Sequence, residues 1–235
     1  MKNHKLELVT TNTMRHFGAM AGIVAAWVVG IQLVIAILDL VFSQDIKSFL
    51  VSLSAIPASL PNFFEIVIFI AFMFVYPDFK WAIQNGISRR TFLRGRMIAL
   101  LGSVVAVFVV NQVLNLFDRP VSDPMTMLID FSILLASVLT AQTIGTGFGL
   151  LNRRGKVIAA IGIPVVFILL MTSLMGIIFG FQDQISHALS NEAFVDAVIK
   201  IMATPSLPWI FLVIYLLINL GLTKFFNDRM QLRRD

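Results

Sequence analysis

The sequence predicts an all-α, polytopic membrane protein with six transmembrane helices and both termini in the cytoplasm. Three observations predict it. Of the 235 residues, 58% are hydrophobic and 13% charged, with a mean hydropathy of +0.89. A soluble chain of this length has no interior large enough to hide that much apolar surface. Apolar runs long enough to cross a hydrocarbon core of about 30 Å recur six times, near 17–43, 62–79, 97–116, 126–151, 157–181 and 207–226. Between these runs the cations fall on alternate connections. Lys2, Lys5 and Arg15 precede the first run, Lys80, Arg89, Arg90, Arg94 and Arg96 follow the second, Arg153, Arg154 and Lys156 follow the fourth, and Lys224, Arg229, Arg233 and Arg234 close the chain. Lys47, Arg119 and Lys200 alone lie on the other side, which is therefore external.

Taken in order, residues 1–16 form a polar cytoplasmic segment. Leu6, Val9, Thr13 and Phe17 make a modest helical stripe there, which fits a helix on the membrane surface, while the polar composition fits a disordered leader equally well. The run at 17–43 is too long for a signal peptide and lacks a small-residue cleavage site. Gly18, Gly22, Ala26 and Gly30 form a small-residue stripe along it, of the kind that lets helices approach closely. Similar stripes occur at Gly145 with Gly149 and at Gly176 with Gly180. Residues 44–61 read as an external connection with an amphipathic stretch at 46–50, closed by Pro61, and Pro77 reads as the end of the second span. In the basic connection that follows, residues 79–83 suit one amphipathic helical turn, Asn85-Gly86 breaks it, and Ser88 suits the N-cap of the helix that becomes span three. Arg89 and Arg90 then stand at a helix N-terminus, where positive charge opposes the macrodipole, so a reason other than helix stability must place them. Residues 182–206 form a second long external connection with an amphipathic stretch at 193–199, and 227–235 form the cytoplasmic tail.

Several function classes are excluded. The chain has no cysteine, and His4, His16 and His187 are scattered, so no metal centre is expected. No phosphate-binding loop occurs, because Gly155-Lys156-Val157 lacks both the upstream glycine and the hydroxyl that would ligate magnesium. No ATPase or other enzyme activity is expected of this chain. The basic balance, +5 overall, is what a cytoplasmic face next to anionic headgroups requires, and it is not read as nucleic-acid binding. Intramembrane carboxylates are functional by default. Glu65 and Asp130 each fall about one turn into a predicted span that starts outside, where the helix dipole favours them, whereas Asp39 falls at an outer C-terminus that opposes it. Together the three are expected to line an outward vestibule for a cationic or amphipathic cargo, with Asn111, Gln112, Asn115, Gln142 and Asn219 lining a path or bonding between helices.

The run Asn-Gly-Ile-Ser-Arg-Arg-Thr-Phe at 85–92, placed after the second of six spans, resembles the permease subunits of type-2 ABC exporters, especially the small ones of Gram-positive bacteria. The topological likeness covers the whole chain and the motif about ten residues. The resemblance implies that the connection is a coupling helix seated in a cleft of a separate ATPase subunit, with Trp81, Asn85, Gly86, Ser88, Arg89 and Arg90 as contact candidates and with ATP and Mg on that partner. It implies a second permease copy or a sibling, with Gly22 and Gly176 as dimer-interface candidates, and short helices dipping into the outer leaflet within 182–206. Location in a bacterial cytoplasmic membrane and an amphipathic peptide or hydrophobic drug as cargo follow from the same resemblance. A non-transporting immunity or assembly scaffold and an ion-coupled secondary transporter are the alternatives.

Overall fold

A computed structural model describes residues 2–117, 123–180 and 206–232, and the predicted external helices of 182–206 lie outside the described residues. Among the described residues the fold is entirely helical: α1 Lys2–Ser43, α2 Ile46–Met73, α3 Val75–Gln84, α4 Arg89–Asn115, α5 Pro124–Leu150, α6 Arg153–Gly180 and α7 Leu207–Arg229. Of these, α1, α2, α4, α5 and α7 are long and apolar enough to cross a membrane. The chain is a multi-pass helical membrane protein. Trp27, Phe42, Val51, Ile158 and Leu217 are among the many large apolar side chains left exposed, as lipid-facing surfaces require.

Several predicted boundaries move. The N-terminal segment and the first span are one 42-residue helix, about 63 Å long, with no boundary at residue 16. No proline interrupts it, and the stripe of Val9, Thr13 and Phe17 is buried and continues into Val28 and Ala36. Residues 46–61 are likewise not a connection. The only link between α1 and α2 is Gln44-Asp45: Gln44 takes a positive φ of 52°, and Asp45 caps α2 by accepting from the Lys47 N–H at 2.9 Å. Pro57 and Pro61 both lie inside α2. A proline removes one backbone bond, but leaving the helix within hydrocarbon would orphan several, so the helix runs through both.

The second span ends at Met73, four residues before Pro77. Phe74 (φ −84°, ψ 73°) breaks the helix, and Pro77 falls in the first turn of α3, where its missing N–H costs nothing. Gly86, at φ +67°, reverses the chain after α3; a side chain is strained in that region. Ser88 then caps α4 by accepting from the Thr91 N–H at 3.2 Å, as its position in the sequence predicts. Asp123 caps α5 through the N–H groups of Met125 and Thr126, both at 3.1 Å, ahead of Pro124 at the first helical position.

The described chain forms two compact units, Met1–Leu150 with Ile218–Asp235 and Leu151–Leu217. The second holds α6, whose start is capped by Asn152 Oδ1 accepting from the Gly155 N–H at 2.6 Å. In the first, α1 and α2 pack along each other, and α4 and α5 complete the bundle. The end of α7 joins α5 through Thr143 and Thr223, whose hydroxyls are 2.9 Å apart and buried.

Candidate functional site

Two regions of the first unit carry the chemistry: the junction around α3 and a polar cleft at a different level of the bundle.

At the junction, α3 is amphipathic. Val75, Phe79 and Ala82 are buried with Val9 of α1, Ile87, Phe92 of α4 and Met230 beyond α7. Phe79 and Phe92 pack edge to face with centroids 5.6 Å apart. The N-terminal part of α1 is fastened here by Lys5 Nζ donating to Gly86 O at 2.7 Å and by Thr10 Oγ1 donating to Gly95 O at 3.1 Å. Lys5 and Thr10 are therefore structural, not part of a loose leader.

Beneath this cluster lies a fully buried cation that the sequence reading counted only as a topology marker. Arg96 is 0% exposed. Its Nε donates to Gln142 Oε1 of α5 at 2.7 Å, and its Nη1 pairs with the Asp78 carboxylate of α3. Its Nη2 donates to Ala71 O and Phe72 O, both at 3.3 Å, and to Phe74 O at 3.5 Å. The guanidinium also lies over the Phe72 ring, 5.4 Å from its centroid. The last carbonyls of a helix have no partner within it, so Arg96 caps α2 while fixing α3 to α5. His16 Nδ1 of α1 lies 3.5 Å from the other Asp78 oxygen. Gly145 of α5 closes the joint from the far side: a Cβ there would stand 2.0 Å from Met73 O. A signal for Arg96 exists in the sequence. Phe92, Arg96, Ala99, Ser103 and Val107 recur at helical spacing, and all five are buried.

The six predicted coupling residues divide. Asn85, Gly86, Ser88, Arg89 and Arg90 are exposed. Trp81 is partly buried against the core cluster and packs more than it displays. Asn85 Nδ2 donates to Trp81 O at 2.8 Å, ending α3. Arg89 Nη1 donates to Asp228 O at 2.7 Å and Asn227 Nδ2 donates to Arg89 O at 3.2 Å, so its unfavourable place at the start of α4 is offset by a favourable one at the C-terminus of α7. Arg90 and Arg94 are exposed and have no bonded partner among the described residues.

The cleft, of about 560 Å³, lies between α2, α4 and α5. It joins two of the three predicted cargo carboxylates, Glu65 and Asp130, with the predicted polar groups Asn111, Gln112 and Asn115. Asn111 Nδ2 donates to Glu65 Oε1 at 3.2 Å. Because α2 starts at Ile46, Glu65 stands nineteen residues from its N-terminus, about 29 Å, and the dipole reading of this carboxylate is lost. Asp39 is not in the cleft. It accepts from the Ser52 hydroxyl across the α1–α2 pair, since the early start of α2 brings Ser52 alongside it. Gln142 and Asn219 are buried as well: the Gln142 side chain bonds Arg96 between helices, and Thr143 Oγ1 donates to the backbone carbonyl of Asn219 at 3.3 Å.

Of the dimer candidates, Gly22 has no heavy atom of the described residues within 4 Å of where a Cβ would stand, and Gly18 and Gly30 are equally open. Gly176 lies in α6, and its surroundings lie outside the described residues. Gly145 and Gly149 pack inside the chain, against Met73 and Met230. Among the described residues no cluster of metal-ligating side chains occurs. No protein-family profile, characterised protein or solved structure matches the chain.

Proposed function

We propose that the chain is the permease subunit of an ATP-driven type-2 exporter in a bacterial cytoplasmic membrane, working with a separate ATPase subunit and with a second permease copy or sibling. The observation that carries this reading is the α3 junction. Ten residues rise only about 15 Å, too little to span, so α3 is a surface element between two membrane helices. One face is anchored by Phe79 and Ala82, and the end of α3, the turn after it and the start of α4 leave Gln84, Asn85, Ser88, Arg90 and Arg94 exposed. An anchored helix with an exposed polar and cationic rim suits transmission of force from a soluble motor.

Six spans with both termini inside belong to the same proposal. In support, Val9 and Met230 share one core cluster with α3, as a chain that crosses an even number of times requires. Five helices are established as long and apolar enough, and α6, with 28 residues, supplies the sixth. An amphipathic peptide or a hydrophobic drug is the proposed cargo class. An ion-coupled transporter is the second reading, favoured by Glu65 and Asp130 lining one cleft.

Affinity purification of the tagged chain from its host in mild detergent tests the proposal, with Arg90→Glu/Arg94→Glu as the variant. These two are chosen over Arg89 because Arg89 also holds the end of α7. An ABC ATPase that co-purifies with the native chain and is lost with the folded variant is the expected result. A folded native chain that recovers no ATPase overturns the proposal.

A further inference from the structure

We infer that the cleft between α2, α4 and α5 is a binding site for an organic ammonium ion with an apolar body, a primary or secondary amine in its protonated form. The inference deepens the exporter reading by naming a cargo class, and rests on it only for the word cargo. Binding itself is a property of this chain alone.

Charge comes first. Glu65 and Asp130 both line the cleft, and among the described residues that line it there is no Lys, Arg or His. In a low-dielectric wall, carboxylates without a cation of their own favour a positively charged occupant, and here the helix dipole does not account for Glu65. Asn111 is the independent observation. It is 6% exposed and lines the same cleft, with Nδ2 committed to Glu65 and Oδ1 without a hydrogen-bond partner among the described residues. A buried amide oxygen left unpaired is costly, and it needs a donor. An ammonium N–H supplies that donor as well as the charge. A quaternary ammonium supplies only the charge.

Size and wall chemistry favour an organic cation over a bare inorganic one as the fitted occupant. A volume of about 560 Å³ falls in the range of small-molecule sites, far above one ion and its ligands. Ile66, Phe69, Phe108, Ile133, Leu134 and Val138 supply the apolar wall. The Phe108 ring is held edge to face by Phe131 at 5.3 Å, so an aromatic surface is already in place for an apolar body or for the cation itself.

The test uses the full chain in phosphatidylcholine nanodiscs without any ATPase. Monodansylcadaverine is the probe, a primary ammonium on an aromatic body, and its N-acetyl derivative is the neutral control. Saturable fluorescence enhancement is expected, with the N-acetyl derivative failing to compete. Glu65→Gln, Asp130→Asn and Asn111→Leu are each expected to weaken binding about tenfold, the loss of one charge-assisted or buried bond. Asp39→Asn, outside the cleft, leaves it unchanged. Equal binding of the N-acetyl derivative overturns the proposal in favour of a merely apolar pocket, and this comparison needs no variant to fold. Saturable binding that survives Glu65→Gln/Asp130→Asn overturns the site. Carboxylate-dependent binding of radioactive sodium with no probe binding also overturns it, in favour of an inorganic ion. A chain that binds the probe but recovers no ATPase keeps the site and loses the exporter reading; recovery of the ATPase without probe binding does the reverse.

Discussion

Replacing Arg96 with methionine removes a side chain that bonds to α2, α3 and α5 together. The side chain is fully buried, and its partner Asp78 is 13% exposed. After the change Asp78 keeps only His16 at 3.5 Å among its described ionic partners, Gln142 Oε1 loses its donor, and the carbonyls of Ala71, Phe72 and Phe74 lose their cap. Breaking a buried pair by removing one partner costs about 3–5 kcal/mol, and that single figure already contains most of the orphaned acceptors. Arg96→Lys retains charge, but a point ammonium cannot reach the carboxylate, the amide and the helix end at once, so an intermediate loss is expected. Equilibrium unfolding by SDS in mixed micelles, followed by tryptophan fluorescence, measures these losses, with Trp81 on the core cluster as a local reporter. A double-mutant cycle with Asp78→Asn is expected to give a coupling of about 1–3 kcal/mol. Additivity in that cycle, or an Arg96→Met chain within about 1 kcal/mol of the native one, would refute the clamp.

Gly145→Ala should destabilise by about 1–3 kcal/mol or more in the same assay, because its Cβ meets backbone at Met73 and nothing flexible can yield. Gly149→Ala, which meets only the flexible end of Met230, should cost less. The Asp123 carboxyl is held below its ordinary value, first by the Thr126 hydroxyl and then by the Thr126 and Met125 N–H groups. A depressed folded-state pKa makes the cap's stabilisation fully present above the unfolded value and lost as pH falls through the folded one. The stability gap between native chain and Asp123→Ala should therefore be constant near neutrality and close in strong acid; a gap unchanged through that descent contradicts the assignment. Since the native chain has no cysteine, single cysteines test topology directly. Asn85→Cys should react with an impermeant maleimide only in opened cells and Gln44→Cys in intact ones, and the same labelling for both would overturn the six-span orientation.

Class, helix count to within one span and the break at Asn85-Gly86 were legible because each depends on local composition: hydropathy over a window, a glycine that tolerates positive φ, a serine that caps. Helix ends in the apolar regions were not. Pro61 and Pro77 read as terminators, yet one lies within α2 and the other starts α3. In hydrocarbon, backbone satisfaction outweighs the local penalty of a proline. Arg89 and Arg90 look alike in sequence, but one binds the end of α7 and the other stands free among the described residues.

The apolar composition alone commits this chain to a membrane and to helices, since no other structure satisfies a single chain of such runs in lipid. The sequence also places carboxylates and amides at intervals along those helices. Which of them meet depends on helix rotation and length, quantities set by packing between segments far apart in the chain. That packing joins Arg96 to Asp78 and Gln142, and Glu65 to Asn111, while it leaves Asp39 with Ser52. A shift of the α2 start from 62 to 46 changes the register of every side chain relative to the helix end, and no local signal in residues 46–61 outweighed their two prolines.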